Sequence, residues 1–131
     1  MEKKTIPSAD EWLREATADA AAADCGRFLL HNGVVRRSAK ARVRAGDTSA
    51  PAVRGMRFSY DHEKAAAAVA AAEAMEGIRF VRVWLNEGEL AVGADSMYVR
   101  IGGDIRPRVV DALQTLVGTL KNECVTEEEL S

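Results

Sequence analysis

The stretch from Ile78 to Asn86 constrains this chain most. Its period of two places Arg79, Val81, Val83 and Leu85 on one face and Phe80, Arg82 and Trp84 on the other, which is a β-strand pattern. Further on, Val109, Val110, Leu113, Leu116, Val117 and Leu120 recur at helical spacing and form one apolar stripe. Strand and helix signals of this kind alternate along the sequence, so the expected fold class is α+β, with helices packed on a largely antiparallel sheet. At 131 residues, one domain spanning 1–131 is expected. A chain of that length buries roughly two-thirds of its unfolded surface and needs no disulfide or structural metal to fold.

The remaining elements follow from local chemistry. Ser8-Ala9-Asp10-Glu11 reads as a capping box that starts a helix running to about Ala20. The apolar run Arg27 to Val35 reads as a strand that delivers Arg36 and Arg37 into a basic segment. That segment, 37–52, carries the turn formers Gly46-Asp47-Thr48-Ser49-Ala50-Pro51 and is expected to be a mobile loop. Val53 to Tyr60 reads as a second strand, and Asp61 caps an alanine-rich helix that ends near Met75 and Gly77. After Ile78–Asn86 come a turn at Glu87-Gly88, a short extended piece over 89–92 and a strand over Ser96 to Ile101. Pro107 then sits in the first turn of the last helix, which Lys121 ends.

Charge narrows the function classes. Lys and Arg total 18 against 20 Asp and Glu, a formal net charge of −2, which argues against a general nucleic-acid binder. The charges are segregated, however. Arg36, Arg37, Lys40, Arg42, Arg44, Arg54 and Arg57 face only Asp47 in their stretch, while the end of the chain, 124–131, reads as an acidic tail, either solvated or in contact with a basic partner or the basic segment. Cys25 and Cys124 belong to no metal-binding spacing and read as free thiols of a reducing compartment. Without a signal-peptide run or an apolar stretch of about 18 residues, a cytoplasmic protein away from membranes is expected.

Several residues are candidates for chemistry. Gly102-Gly103 ahead of a helix start reads either as an anion site, with Arg106 and Arg108 as added donors, or as a plain strand-to-helix turn. Lys121 reads as a capping lysine, or as an amine nucleophile or base if other cations surround it. His31 and His62 have no ligand partner in register and read as structural; no metal is assigned.

Taken in order, these motifs resemble the catalytic, larger subunit of molybdopterin synthase, the MoaE-type family. Gly33-Val34-Val35-Arg36 resembles the family's strand end, and Tyr60 stands where a tyrosine closes its next strand. Gly88-Glu89-Leu90-Ala91-Val92-Gly93 resembles its glycine-glutamate-leucine turn, while Arg106 and Lys121 match its helix-start arginine and catalytic lysine. The resemblance covers about Gly26 to Glu123. It implies an α/β hammerhead fold and a sulfurtransferase of molybdenum cofactor biosynthesis. A small ubiquitin-like carrier ending in a Gly-Gly thiocarboxylate would deliver sulfur to cyclic pyranopterin monophosphate, forming the molybdopterin dithiolene.

The resemblance further implies a homodimer within a heterotetramer, with each site drawing residues across the dimer interface and no resident cofactor. Lys121 would be the catalytic amine, and Arg36, Lys40, Arg106 and Arg108 would bind substrate. The chain departs from the family pattern at Leu85-Asn86 and at Ile105, where histidine-containing sites stand in relatives. A second lysine after Lys121 is missing, which implies altered active-site residues. Two alternatives follow: a catalytically altered carrier-binding paralogue, and a polyanion- or RNA-binding module using the basic loop.

Overall fold

The strand Asp95–Gly103 (β5) lies at the centre of the molecule, and its residues Val99 and Ile101 are completely buried. In the computed structural model, which describes residues 4–131, β5 pairs antiparallel on one side with Arg27–Val34 (β1) and on the other with Ile78–Leu85 (β3). Register sets His31 and Val83 on either side of Val99. Residues directly opposite share a face, so Leu29, His31, Met97, Val99, Ile101, Val81, Val83 and Leu85 all point the same way. The alternation read from Ile78–Asn86 is thus the alternation of the sheet from Phe80 onward; at Arg79 the register shifts, so that Ile78 joins the core and Arg79, read on the face of Val81, is exposed.

Two helices cover that face. His62–Glu73 (α3) packs with Ala65, Ala68 and Ala72, whose small side chains let it approach closely, and Asp61 caps it by accepting the Lys64 amide at 3.0 Å. Arg106–Thr119 (α4) contributes Val109, Ala112 and Leu116 to the same core. The opposite face is covered by Ala9–Thr17 (α1), started by the Ser8 hydroxyl, which accepts the Glu11 amide at 3.2 Å. There Trp12 is buried, and the buried Arg100 guanidinium donates to the Trp12 carbonyl at 2.9 Å and to Glu15 at 3.1 Å. The helix stops at Thr17 rather than near Ala20, and a 3-10 turn over Ala20–Asp24 leads into β1.

A second antiparallel sheet stands beside the first, with Gly55–Tyr60 (β2) between Gly88–Ala91 (β4) and Val125–Leu130 (β6). Its register brings Arg57 between Glu89 and Glu128, with both ion pairs at 2.9 Å. The residues 124–131, read as an acidic tail, are thus mostly a paired strand. The reason is that β2 offers a free edge and Arg57 neutralises an acidic residue opposite it. The basic segment 37–52 is likewise more structured than a loop. It holds a short helix, Lys40–Ala45 (α2), closed by Gly46 at φ +69°. Its ends are tied, since the Val53 amide donates to the Arg37 carbonyl at 2.8 Å and Ala39 and Val53 are buried.

Candidate functional site

Three elements converge where β1 ends. Strand β1 carries the chain to Arg36, whose Nε donates to the Ser38 carbonyl at 3.0 Å, and α2 then presents Lys40 and Arg44. From the other side α4 ends at Thr119, and a π-helical turn over Leu120–Cys124 holds Lys121. Such widened turns put a side chain out of helical register and recur at functional sites. The result is a cleft of about 210 Å³ lined by Val35, Arg36, Lys40, Arg44, Met56, Ser96, Lys121, Glu127 and Glu129.

Sequence reasoning placed Lys121 at a helix terminus, where the helix dipole would hold it. It lies there, in the π-helical turn that continues α4, and its ammonium is in addition ion-paired with the Glu127 carboxylate of β6. Glu129, also on β6, accepts the Lys40 backbone amide at 2.8 Å. The sequence marks both glutamates only as part of an acidic end that could contact the basic segment, because their individual partners depend on β6 folding back along β2. The signal in the sequence is the acidic run Glu127-Glu128-Glu129, opposite in sign to the basic segment.

The predicted binding residues separate into two groups. Arg36, Lys40 and Lys121 share the cleft. Arg106 and Arg108 stand at the far end of α4, roughly 20 Å from Lys121 at 1.5 Å per residue. Arg106 is exposed there. Arg108 is engaged structurally, donating to Asp104 at 2.6 Å and pairing with Glu76 at 3.3 Å. Partial burial pushes the Asp104 carboxyl up, but bonds from the Ile105 amide and Arg108 outweigh that and hold it below its ordinary value.

Of the two readings of Gly102-Gly103, the geometry favours the strand-to-helix turn over the anion site. Both glycines end β5, and a Cβ on Gly102 would stand 2.6 Å from the Phe28 ring, which packs with Phe80 at 5.6 Å between centroids. A Cβ on Gly103 would meet the Gly77 carbonyl at 2.6 Å. Asp104, an acid, immediately precedes the Ile105 N-cap of α4, and its Oδ1 already accepts the Ile105 amide at 2.7 Å. The glycines serve close packing.

His31, read as structural, lies half-buried on the sheet face that α4 covers. Burial lowers its pKa below the ordinary 6.5, and the charge of Lys121 lowers it further, so it is neutral near the amine. Both cysteine thiols are pushed up, in each case chiefly by burial, which disfavours the thiolate. Among the described residues, no group of three or more His, Cys, Asp or Glu side chains could hold a metal ion, and no helix is long and apolar enough to cross a membrane.

A family model described as MoaE protein matches residues 6–123 of the chain. No curated protein matches it in sequence. Among solved structures, molybdopterin synthase from Staphylococcus aureus superposes with a TM-score of 0.71 at 15% identity, covering 95% of this chain and 85% of that one. The MoaE protein of molybdopterin biosynthesis from Burkholderia ambifaria gives 0.70 at 15% identity, covering 97% and 84%. A complex of subunits 1 and 2 of molybdopterin-converting factor from Helicobacter pylori gives 0.66 at 16% identity, covering 94% and 78%. At such identities the likeness establishes the fold.

Proposed function

This chain belongs to the MoaE protein family, the family of molybdopterin synthase catalytic subunits, which gives it a role in molybdenum cofactor biosynthesis; from that premise we propose that it is itself the sulfur-transferring subunit. In this reading a small ubiquitin-like carrier inserts a C-terminal Gly-Gly thiocarboxylate into the cleft, and sulfur passes to cyclic pyranopterin monophosphate. The observation that carries the proposal is the convergence of Arg36, Lys40 and Arg44 with Lys121 on one cleft.

The physical fit is direct. A cyclic phosphate and a thiocarboxylate are both anions, and fixed cations in a cleft stabilise them with little reorganisation. Lys121 engages the carrier's terminal carbonyl or moves a proton as sulfur leaves. His31, neutral beside Lys121, adds no competing positive charge. The distance between Arg106 and Lys121 along α4 supports a site completed by a second copy of the chain, so a homodimer with one carrier per protomer is part of the proposal. Arg108, already bound to Asp104 and Glu76, is reassigned to holding the start of α4.

Family membership does not favour the polyanion-binding alternative, and the carboxylates of Glu127 and Glu129 on the cleft wall would repel a nucleic-acid backbone. The reading is tested by single-turnover assay with purified protein, a thiocarboxylated carrier and cyclic pyranopterin monophosphate. Dithiolene product is expected from the wild type and a rate at least about 100-fold lower from Lys121→Ala. Equal rates would remove Lys121 from the chemistry. No product from the wild type, with carrier binding intact, would overturn the transferase itself.

A further inference from the structure

Strand β6 breaks the rule that the inner face of a half-covered sheet is apolar. In the pairing with β2, Glu127 lies opposite Phe58 and Glu129 opposite Met56. Phe58 is 1% exposed and belongs to the core, and Met56 lines the cleft. Apolar residues would be expected at both β6 positions. Glu128, by contrast, is on the other face with Arg57. A carboxylate on an inner face is costly unless a cation or donor meets it. That cost falls on Glu127, whose side chain is only 17% exposed and which pairs with the Lys121 ammonium; Glu129 is exposed and accepts the amide that begins α2.

Two independent bonds from one strand therefore reach both cationic walls of the cleft. A lysine carries four rotatable bonds and considerable rotamer entropy, so an amine standing on a widened turn needs an external hold to keep one position. We infer that Glu127 is a positioning residue for Lys121, fixing its ammonium in the cleft, while Glu129 sets the start of α2 and with it Lys40. The inference rests on the proposed sulfur transfer for its kinetic consequence, but the geometry of the pair is independent of it. Glu127 acts through Lys121 and is not assigned contact with substrate.

The test uses the full chain with Glu127→Gln, Glu127→Asp, Lys121→Ala and the Glu127→Gln/Lys121→Ala double variant, each checked for folding by circular dichroism and thermal melting. In the transfer assay Glu127→Gln is expected to lower kcat about tenfold with KM within about twofold, since misplacing a reacting group costs rate rather than binding. Glu127→Asp is expected to recover part of the loss. In the Lys121→Ala background the Gln substitution is expected to add nothing.

A second readout needs no turnover: trace acetylation of the amines at fixed pH, with Lys121 located by mass spectrometry, is expected to be several-fold faster in folded Glu127→Gln. Normal kcat in an active wild-type background overturns the positioning role and leaves sulfur transfer standing. If the wild type transfers no sulfur, the function proposed above fails and acetylation decides alone, unchanged labelling of Lys121 overturning the positioning role. Should Glu127→Gln fail to fold, Glu127→Asp is read by the same two measurements, and wild-type kcat together with wild-type labelling overturns the inference.

Discussion

The ammonium of Lys121 and the carboxylate of Glu127, six residues apart, form an ion pair across the reversal from the π-helical turn into β6. The pair exists because no linker separates the two elements: Cys124 ends the turn and Val125 opens the strand. An amine that would otherwise trail from a helix end is thereby turned toward Arg36 and Lys40. The cleft in consequence holds cations whose charge is partly compensated from within, a setting in which an incoming anion meets preset donors.

The cleft cations and the helix-start arginine should separate in a binding experiment. Replacing Arg36 or Lys40 by Ala is expected to weaken binding of inorganic pyrophosphate about tenfold, the worth of one charge-assisted hydrogen bond. Arg108→Ala is expected to leave that affinity unchanged and to lower the melting temperature, because it frees Asp104 and Glu76 rather than a ligand. Titration calorimetry and thermal unfolding on the same three variants check both halves, and an equal loss of affinity in Arg108→Ala would reverse the assignment.

A site shared between protomers should show complementation. Lys121→Ala and Arg106→Ala are each expected to be inactive alone, yet subunits mixed after mild dissociation would recover about a quarter of wild-type activity. Random pairing makes half of the dimers mixed, and one of the two sites in each mixed dimer has both native residues. No recovery, with exchange of subunits verified by mass, would confine the site to one chain.

Stability should respond to His31 on the acid side of neutrality. Its pKa is lowered in the folded protein, first by burial and then by Lys121, while the unfolded chain protonates near the ordinary 6.5. The unfolded state then binds more protons between those two values, so stability falls as pH drops through 6.5 toward the folded pKa and levels off below it. His31→Leu is expected to flatten the melting temperature over that window. Glu15, held low chiefly by its bond to Arg100, acts with the opposite charge type in a lower range: its contribution is lost only as pH falls below the usual carboxylate values. Thermal unfolding from pH 8 to pH 5 isolates the histidine effect, and an equal slope in both proteins would contradict it.

What was readable without a structure was governed by neighbours in the chain. Alternation over Ile78–Asn86 and the stripe from Val109 to Leu120 determined which faces would be buried, and Ser8, Asp61 and Pro107 marked helix starts through local capping chemistry. The ordered motifs pointed to the family, and Arg36, Lys40 and Lys121, expected from them as site residues, line one cleft. Tertiary structure decided the rest. It drew the basic segment into α2, made the acidic end a strand by offering the edge of β2, and covered Gly102 with two aromatic rings, which favours the strand-to-helix turn over the anion site. It also parted Arg106 and Arg108 from the cleft by the length of α4 and set Glu127 on Lys121. The physical reason is that periodicity and capping are satisfied within a few residues, whereas a strand edge, a register and an ion pair between elements exist only once distant segments have packed together.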